Sequence, residues 1–94
     1  MAALDTTRTV KMVARVFVTP KPAILDPQGK AVATSLRALG YAEVGEVRLG
    51  KYIVVQLTAA DRAAAARRVE EMCRRLLANS VIEDFSFDVE VAET

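Results

Sequence analysis

The chain has 94 residues, 52% of them hydrophobic and 27% charged, the balance of one compact soluble domain and not of a disordered or fibrous polymer. Its 13 Lys and Arg offset 12 Asp and Glu, a formal net charge of +1, which gives no broad attraction to nucleic acid or membranes. A chain this short buries only about 60–65% of its unfolded surface, so a subunit of an oligomer is favoured over a self-contained catalyst. There is no histidine, which removes the usual general base near neutral pH and the commonest metal ligand. The single Cys73 can form neither an internal disulfide nor a zinc site.

Met1–Thr9 holds Asp5 and three threonines without an apolar run that could act as a signal segment. It reads as a flexible lead-in to one domain over residues 10–94, and a cytoplasmic location is expected. No stretch approaches the roughly 20 apolar residues of a membrane span.

Val10–Val18 is rich in β-branched residues and predicts a strand, ended by Pro20 and Pro22. Met12, Ala14, Val16 and Val18 fall on one face, Val13 and Phe17 on the other. An extended loop, Thr19–Leu25, leads to Asp26-Pro27, a helix cap followed by proline at the first helical position. Val32, Leu36 and Leu39 make one apolar stripe on that helix, which stops at Gly40.

Glu43–Leu49 and Lys51–Thr58 both look strand-like about Gly50, and predict a hairpin. Asp61 caps a second helix, with Ala65, Val69, Met72, Cys73 and Leu76 on its apolar stripe. Its arginines, at 62, 67, 68, 74 and 75, form a solvated face with local ion pairs to Glu70 and Glu71. Asn79 suits a left-handed helix stop. Phe85, Phe87, Val89 and Val91 alternate with Asp84, Ser86, Asp88 and Glu90, the period of a half-buried strand.

The expected fold is therefore α+β and ferredoxin-like, β-α-β-β-α-β, with two helices on one face of a four-stranded antiparallel sheet. The first and third strands should be central and are apolar on both faces, so the uncovered face calls for another chain, in a homodimer or higher oligomer.

Three stretches stand out as candidate interfaces. The first carries Lys21, Ile24, Leu25, Asp26, Gln28 and Gly29. Its Ile24 and Leu25 are unusually apolar for a loop, and serve either as a hydrophobic staple on the helix or as a docking surface. Asp26 is a cap before it is a general base, and Gly29 opens the first helical turn to an anion or a partner backbone. The second carries Arg48, Gly50 and Lys51, cations that suit a phosphate, a partner carboxylate or a solvated turn. The third carries Asn79 and Glu83, with Val81 and Ile82 between them. No G-x-x-x-x-G-K-[ST] or G-x-G-x-x-G motif offers a nucleotide site, and a packed, inert Cys73 is favoured over a reactive one.

In order and spacing, Ile24-Leu25-Asp26-Pro27-Gln28-Gly29, Val47-Arg48-Leu49-Gly50-Lys51 and Leu76-Leu77-Ala78-Asn79-Ser80-Val81-Ile82-Glu83-Asp84-Phe85 resemble the PurS family, the small subunit of phosphoribosylformylglycinamidine synthase. The resemblance spans roughly residues 10–91. It implies a homodimer associated with a synthetase subunit (PurL) and a glutaminase subunit (PurQ), in an enzyme that uses glutamine and ATP with Mg in de novo purine biosynthesis. It also implies that this chain has no catalytic residue and binds no cofactor itself, but bridges the other two and assists ammonia transfer. Fold analogy alone suggests a rival, an ACT-like amino-acid-sensing domain. An RNA-binding sheet is disfavoured by the scarcity of aromatic residues on the strands.

Overall fold

A computed structural model of the chain describes residues 9–92. Apart from Thr9, the expected lead-in Met1–Thr9 lies outside the described residues. The elements are β1 (Val10–Pro20), α1 (Pro27–Ala38), β2 (Lys51–Ala59), α2 (Arg62–Met72), a π-helical turn (Cys73–Leu77) that prolongs α2, and β3 (Glu83–Val91). The strands form one antiparallel sheet in the order β2-β1-β3.

The alternation in β1 dictates this centre. Met12, Ala14, Val16 and Val18 point to one face and are buried, opposite Leu57, Val55 and Ile53 of β2 and Val91, Val89, Phe87 and Phe85 of β3. Helix α2 lies over that face, and Ala65, Val69 and Cys73 complete the core. The fully buried valines, Val16, Val18 and Val69, each contribute about 1.5–3 kcal/mol by leaving water. On the opposite face Phe17 stacks on Tyr52 with ring centroids 5.2 Å apart, and Arg15 bonds Glu90 at 2.6 Å.

The four-stranded expectation fails. The sheet has three strands, because Glu43–Leu49 joins no ladder and Gly50 does not reverse the chain into a hairpin. The backbone groups that a ladder would pair are taken along the α1 side instead. Arg37 donates to the carbonyls of Val44 and Gly45, and Leu49 N–H donates to Asp26. The third strand of the expected order, now β2, is consequently an edge strand and not a central one.

The two helices also do not share a face. Helix α2 packs on all three strands, whereas α1 makes no substantial contact with the sheet or with α2, and none of its residues joins the core cluster. Helix α1 and the returning segment 43–49 form an arm beyond the sheet. The Cα radius of gyration is 18.5 Å, against about 12 Å for a compact domain of this length.

Two further corrections concern the end of α2. Leu76, expected on the apolar stripe, is 83% exposed, because the wider π-helical turn shifts the register and brings Leu77 against the core instead. Asn79 is not left-handed, since Gly40 alone among the described residues has a positive φ. The chain leaves the helix through an extended Ala78, and the Asn79 side chain accepts from Val81 N–H. Local pairs Arg68–Glu71 and Arg74–Glu70 do line the solvated face.

This packing predicts that Val69→Ala costs about 2–3 kcal/mol, through lost burial and an unfilled cavity. Arg62→Ala, at the exposed start of α2, changes stability by less than about 0.5 kcal/mol. Urea denaturation at one fixed protein concentration measures both.

Candidate functional site

The three unusual stretches are far apart in sequence but meet at one end of the sheet. There β1 stops, β2 and β3 begin, and the register sets Val18 beside Lys51 and Pro20 beside Glu83.

Asp26 joins the first stretch to the second. Its side chain caps α1 by accepting from Gly29 N–H at 2.8 Å, and its other oxygen accepts from Leu49 N–H at 2.8 Å. These two backbone donors, Gly29 first and Leu49 second, hold its carboxyl below the usual carboxylate range, with help from the nearby Arg48 charge. Arg48 makes the reciprocal link. Its Nη2 donates to Lys21 O at 2.6 Å, Pro20 O at 3.2 Å and Ile24 O at 3.4 Å, while Nη1 bonds Glu46 at 2.9 Å. Nη2 carries two N–H groups, so one is shared between two of these carbonyls, and the planar guanidinium reaches Glu46 from its other nitrogen at the same time, which a single ammonium centre does not reproduce.

The glycines explain themselves at two points. A Cβ on Gly29 would strike the Val47 carbonyl oxygen, and one on Gly50 would strike the Val18 carbonyl oxygen. The backbone that approaches Gly29 is thus the chain's own, and the Gly29 N–H is already committed to Asp26. Gly50 lets the chain pass against β1 as it enters β2.

The third stretch is tied in by Lys21, whose N–H donates to Ile82 O at 2.9 Å and whose Nζ bonds Asp84 at 2.7 Å. Glu83 accepts from Asn79 N–H at 2.7 Å and pairs with Lys51 at 3.6 Å. Asn79 itself stays at the surface.

The sequence candidates therefore divide into two groups. Lys21, Asp26, Gly29, Arg48, Gly50 and Glu83 are committed to internal bonds or close backbone contacts. Ile24 is half-buried, while Leu25, Gln28, Lys51 and Asn79 are exposed. Leu25 at 77% and Val81 at 79% stand out, with Ile82 beside Val81. Val81 and Ile82 lie within the third candidate stretch, two adjacent apolar residues in a turn. A cleft of about 420 Å³ opens between the Pro22–Asp26 loop, α1 and Glu46–Arg48, with Lys30 and Arg37 on its wall. Chemically, this end of the sheet offers shape, hydrogen bonds and apolar contact. Cys73 lies buried in the core at the C-terminal end of α2, where burial raises its thiol pKa.

Arg48→Lys is expected to cost about 1.5–3 kcal/mol, the value of hydrogen bonds to a charged group, and Gly50→Ala about 1–3 kcal/mol through overpacking, both read from urea denaturation. Asp26 supplies a pH test. Its ionised form is favoured by folding, so its contribution is complete above the ordinary carboxylate value of about 4 and is lost as pH falls through the lowered folded value. As pH falls below about 5, the Asp26→Asn variant should lose stability less steeply than the parent chain.

The family model for PurS, described as phosphoribosylformylglycinamidine (FGAM) synthase, matches residues 13–91. The PurS subunit of phosphoribosylformylglycinamidine synthase from Synechocystis is 47% identical over 79 residues, covering 84% of this chain and 79% of that protein. The solved structure of Bacillus subtilis PurS shares 44% identity and a TM-score of 0.74, over 84% of this chain and 98% of that one. A chain in the structure of PurLQS from Thermotoga maritima matches with a TM-score of 0.78 at 26% identity, over 85% of this chain and 98% of that one. With the three stretches gathered into one hydrogen-bonded junction and a family match across nearly the whole described chain, this protein belongs to the PurS family.

Proposed function

We propose that this chain is the small, non-catalytic subunit of phosphoribosylformylglycinamidine synthase. In this role it joins the synthetase and glutaminase subunits, PurL and PurQ, in de novo purine biosynthesis. The enzyme uses ATP with Mg and glutamine to convert formylglycinamide ribonucleotide to formylglycinamidine ribonucleotide. ATP and Mg are held by the large subunit in this reading, and the small subunit works in the cytoplasm as a homodimer or higher oligomer. The observation that carries the proposal is the rigid junction at the end of the sheet. It ties the charged and glycine residues to other parts of the same chain and leaves Leu25, Val81 and Ile82 exposed as apolar contact residues.

Ammonia released at one active site and consumed at another is lost unless the space between them is closed to water, and closure calls for a spacer of fixed shape. The junction supplies that fixed shape. Support for the partners comes from the PurLQS structure of Thermotoga maritima, which contains the matching chain. No helix among the described residues is long and apolar enough to cross a membrane. The amino-acid-sensing alternative leaned on the four-stranded order, which this chain does not form.

Reconstitution with the synthetase and glutaminase subunits tests the reading. Omitting this chain should abolish glutamine-driven synthesis, and Leu25→Asp combined with Val81→Asp should lower it at least tenfold. Synthesis fed with free ammonia should survive both changes, because ammonia from solution needs no closed passage. Glutamine-driven turnover at the full rate without the chain would overturn the proposal.

A further inference from the structure

The cleft beside the junction carries charge that the junction does not use. It encloses about 420 Å³, within the span of roughly 300–1,000 Å³ usual for small-molecule sites. Three cations line it, Lys30, Arg37 and Arg48, with two carboxylates, Asp26 and Glu46. Both carboxylates already have partners, since Asp26 accepts from the Gly29 and Leu49 N–H groups and Glu46 pairs with Arg48. Lys30 pairs with no acid among the described residues. Arg37 is pinned through Nη1 alone, which donates to Val44 O at 3.2 Å and to Gly45 O at 3.1 Å. Its Nε and Nη2 donors meet no acceptor among the described residues, so a held guanidinium keeps donors for a ligand.

Lys30, Ala33 and Arg37 follow one another at i, i+3 and i+7 along a single face of α1. Ala33 is buried between the two cations, and its methyl group leaves the space between their long side chains open. The two cations start about 10 Å apart along the helix axis, so a group lying over Ala33 is approached from both ends. A phosphate monoester suits that arrangement. Its three acceptor oxygens take donors from two directions at once, whereas a planar carboxylate is matched by a single fork.

The rest of the cleft fits what such a phosphate would be attached to. Ile24 and Val47 give it an apolar wall. Glu46 bonds Arg48 through Oε2, which leaves Oε1 to accept from a hydroxyl, and Asp26 lies on the same lining. No aromatic residue lines the cleft, so nothing there would stack a nucleobase.

We propose that this cleft binds a sugar phosphate. Lys30 and Arg37 hold the phosphate, Glu46 and Asp26 accept from the sugar hydroxyls, and the ring lies against Ile24 and Val47. Such a ligand touches the Pro22–Asp26 loop, α1 and the returning segment together, the same three pieces that the junction joins, and so stabilises the arm by mass action. The inference rests on this chain alone and not on its place in the synthase.

Amide NMR of the isolated protein, titrated with ribose 5-phosphate, tests it. The Ala33, Gly45 and Val47 amides should shift saturably while the Cys73 amide stays in place, and ribose without phosphate should shift none of them. Lys30→Gln, at an exposed position with no ion pair to lose, should raise the dissociation constant at least tenfold, and Lys30→Arg should hold it within about threefold. No saturation by about 10 mM ligand, or an unchanged constant in Lys30→Gln, would overturn the proposal. So would inorganic phosphate or succinate binding as tightly as the ester, since the first needs no sugar contacts and the second no phosphate. Because no other subunit is present, failure here leaves the synthase reading standing, and failure of the reconstitution leaves the ligand site standing.

Discussion

The guanidinium of Arg48, reaching across to the carbonyls that follow β1, is the contact on which the rest of this molecule is arranged. Those carbonyls belong to Pro20, the last residue of β1, and to Lys21 and Ile24 in the loop beyond it, past the point where β1 pairs with β2. Supplying them from a side chain more than twenty residues away joins the two ends of the arm. Asp26 completes the link in the other direction, by accepting from the backbone next to Arg48. One cation and one carboxylate thus replace the strand pairing that a fourth strand would have provided.

Several features that look unrelated in the sequence follow from that junction. Gly29 and Gly50 are the places where two backbone segments pass too closely for a side chain. Lys21 and Glu83 bind the third stretch to the first two. The charged residues are paired within the chain, and the surface beside them is apolar at Leu25 and Val81. For a spacer between two active sites this division makes physical sense. Ion pairs in water contribute little to contact strength, whereas a surface of fixed shape can exclude water from a passage.

The missing strand and the displaced helix are one event viewed twice. Segment 43–49 follows α1 outward, so it cannot pair with the sheet, and the sheet loses both its fourth strand and its second helix. The half-buried side chains of β2 and the exposed stripe of α1 are the two surfaces this leaves unpartnered. A chain of 94 residues has little apolar area to spare, so both surfaces bear on how it assembles.

What the sequence determined by itself was local. The alternation of β1 and β3, the caps at Asp26 and Asp61, the stop at Gly40 and the inward set Ala65, Val69 and Cys73 are each written in periods of two or 3.6 residues, and the structure shows each of them. The three candidate stretches were also legible, because apolar loop residues and glycines at helix and strand starts are unusual wherever they occur. Tertiary structure decided which of those residues face inward, that Glu43–Leu49 is no strand despite its strand-like composition, and that Leu76 turns out of the core. These depend on long-range hydrogen bonds and on a π-helical turn. A residue's periodicity carries no information about a partner twenty-seven positions away, such as Lys21 for Arg48.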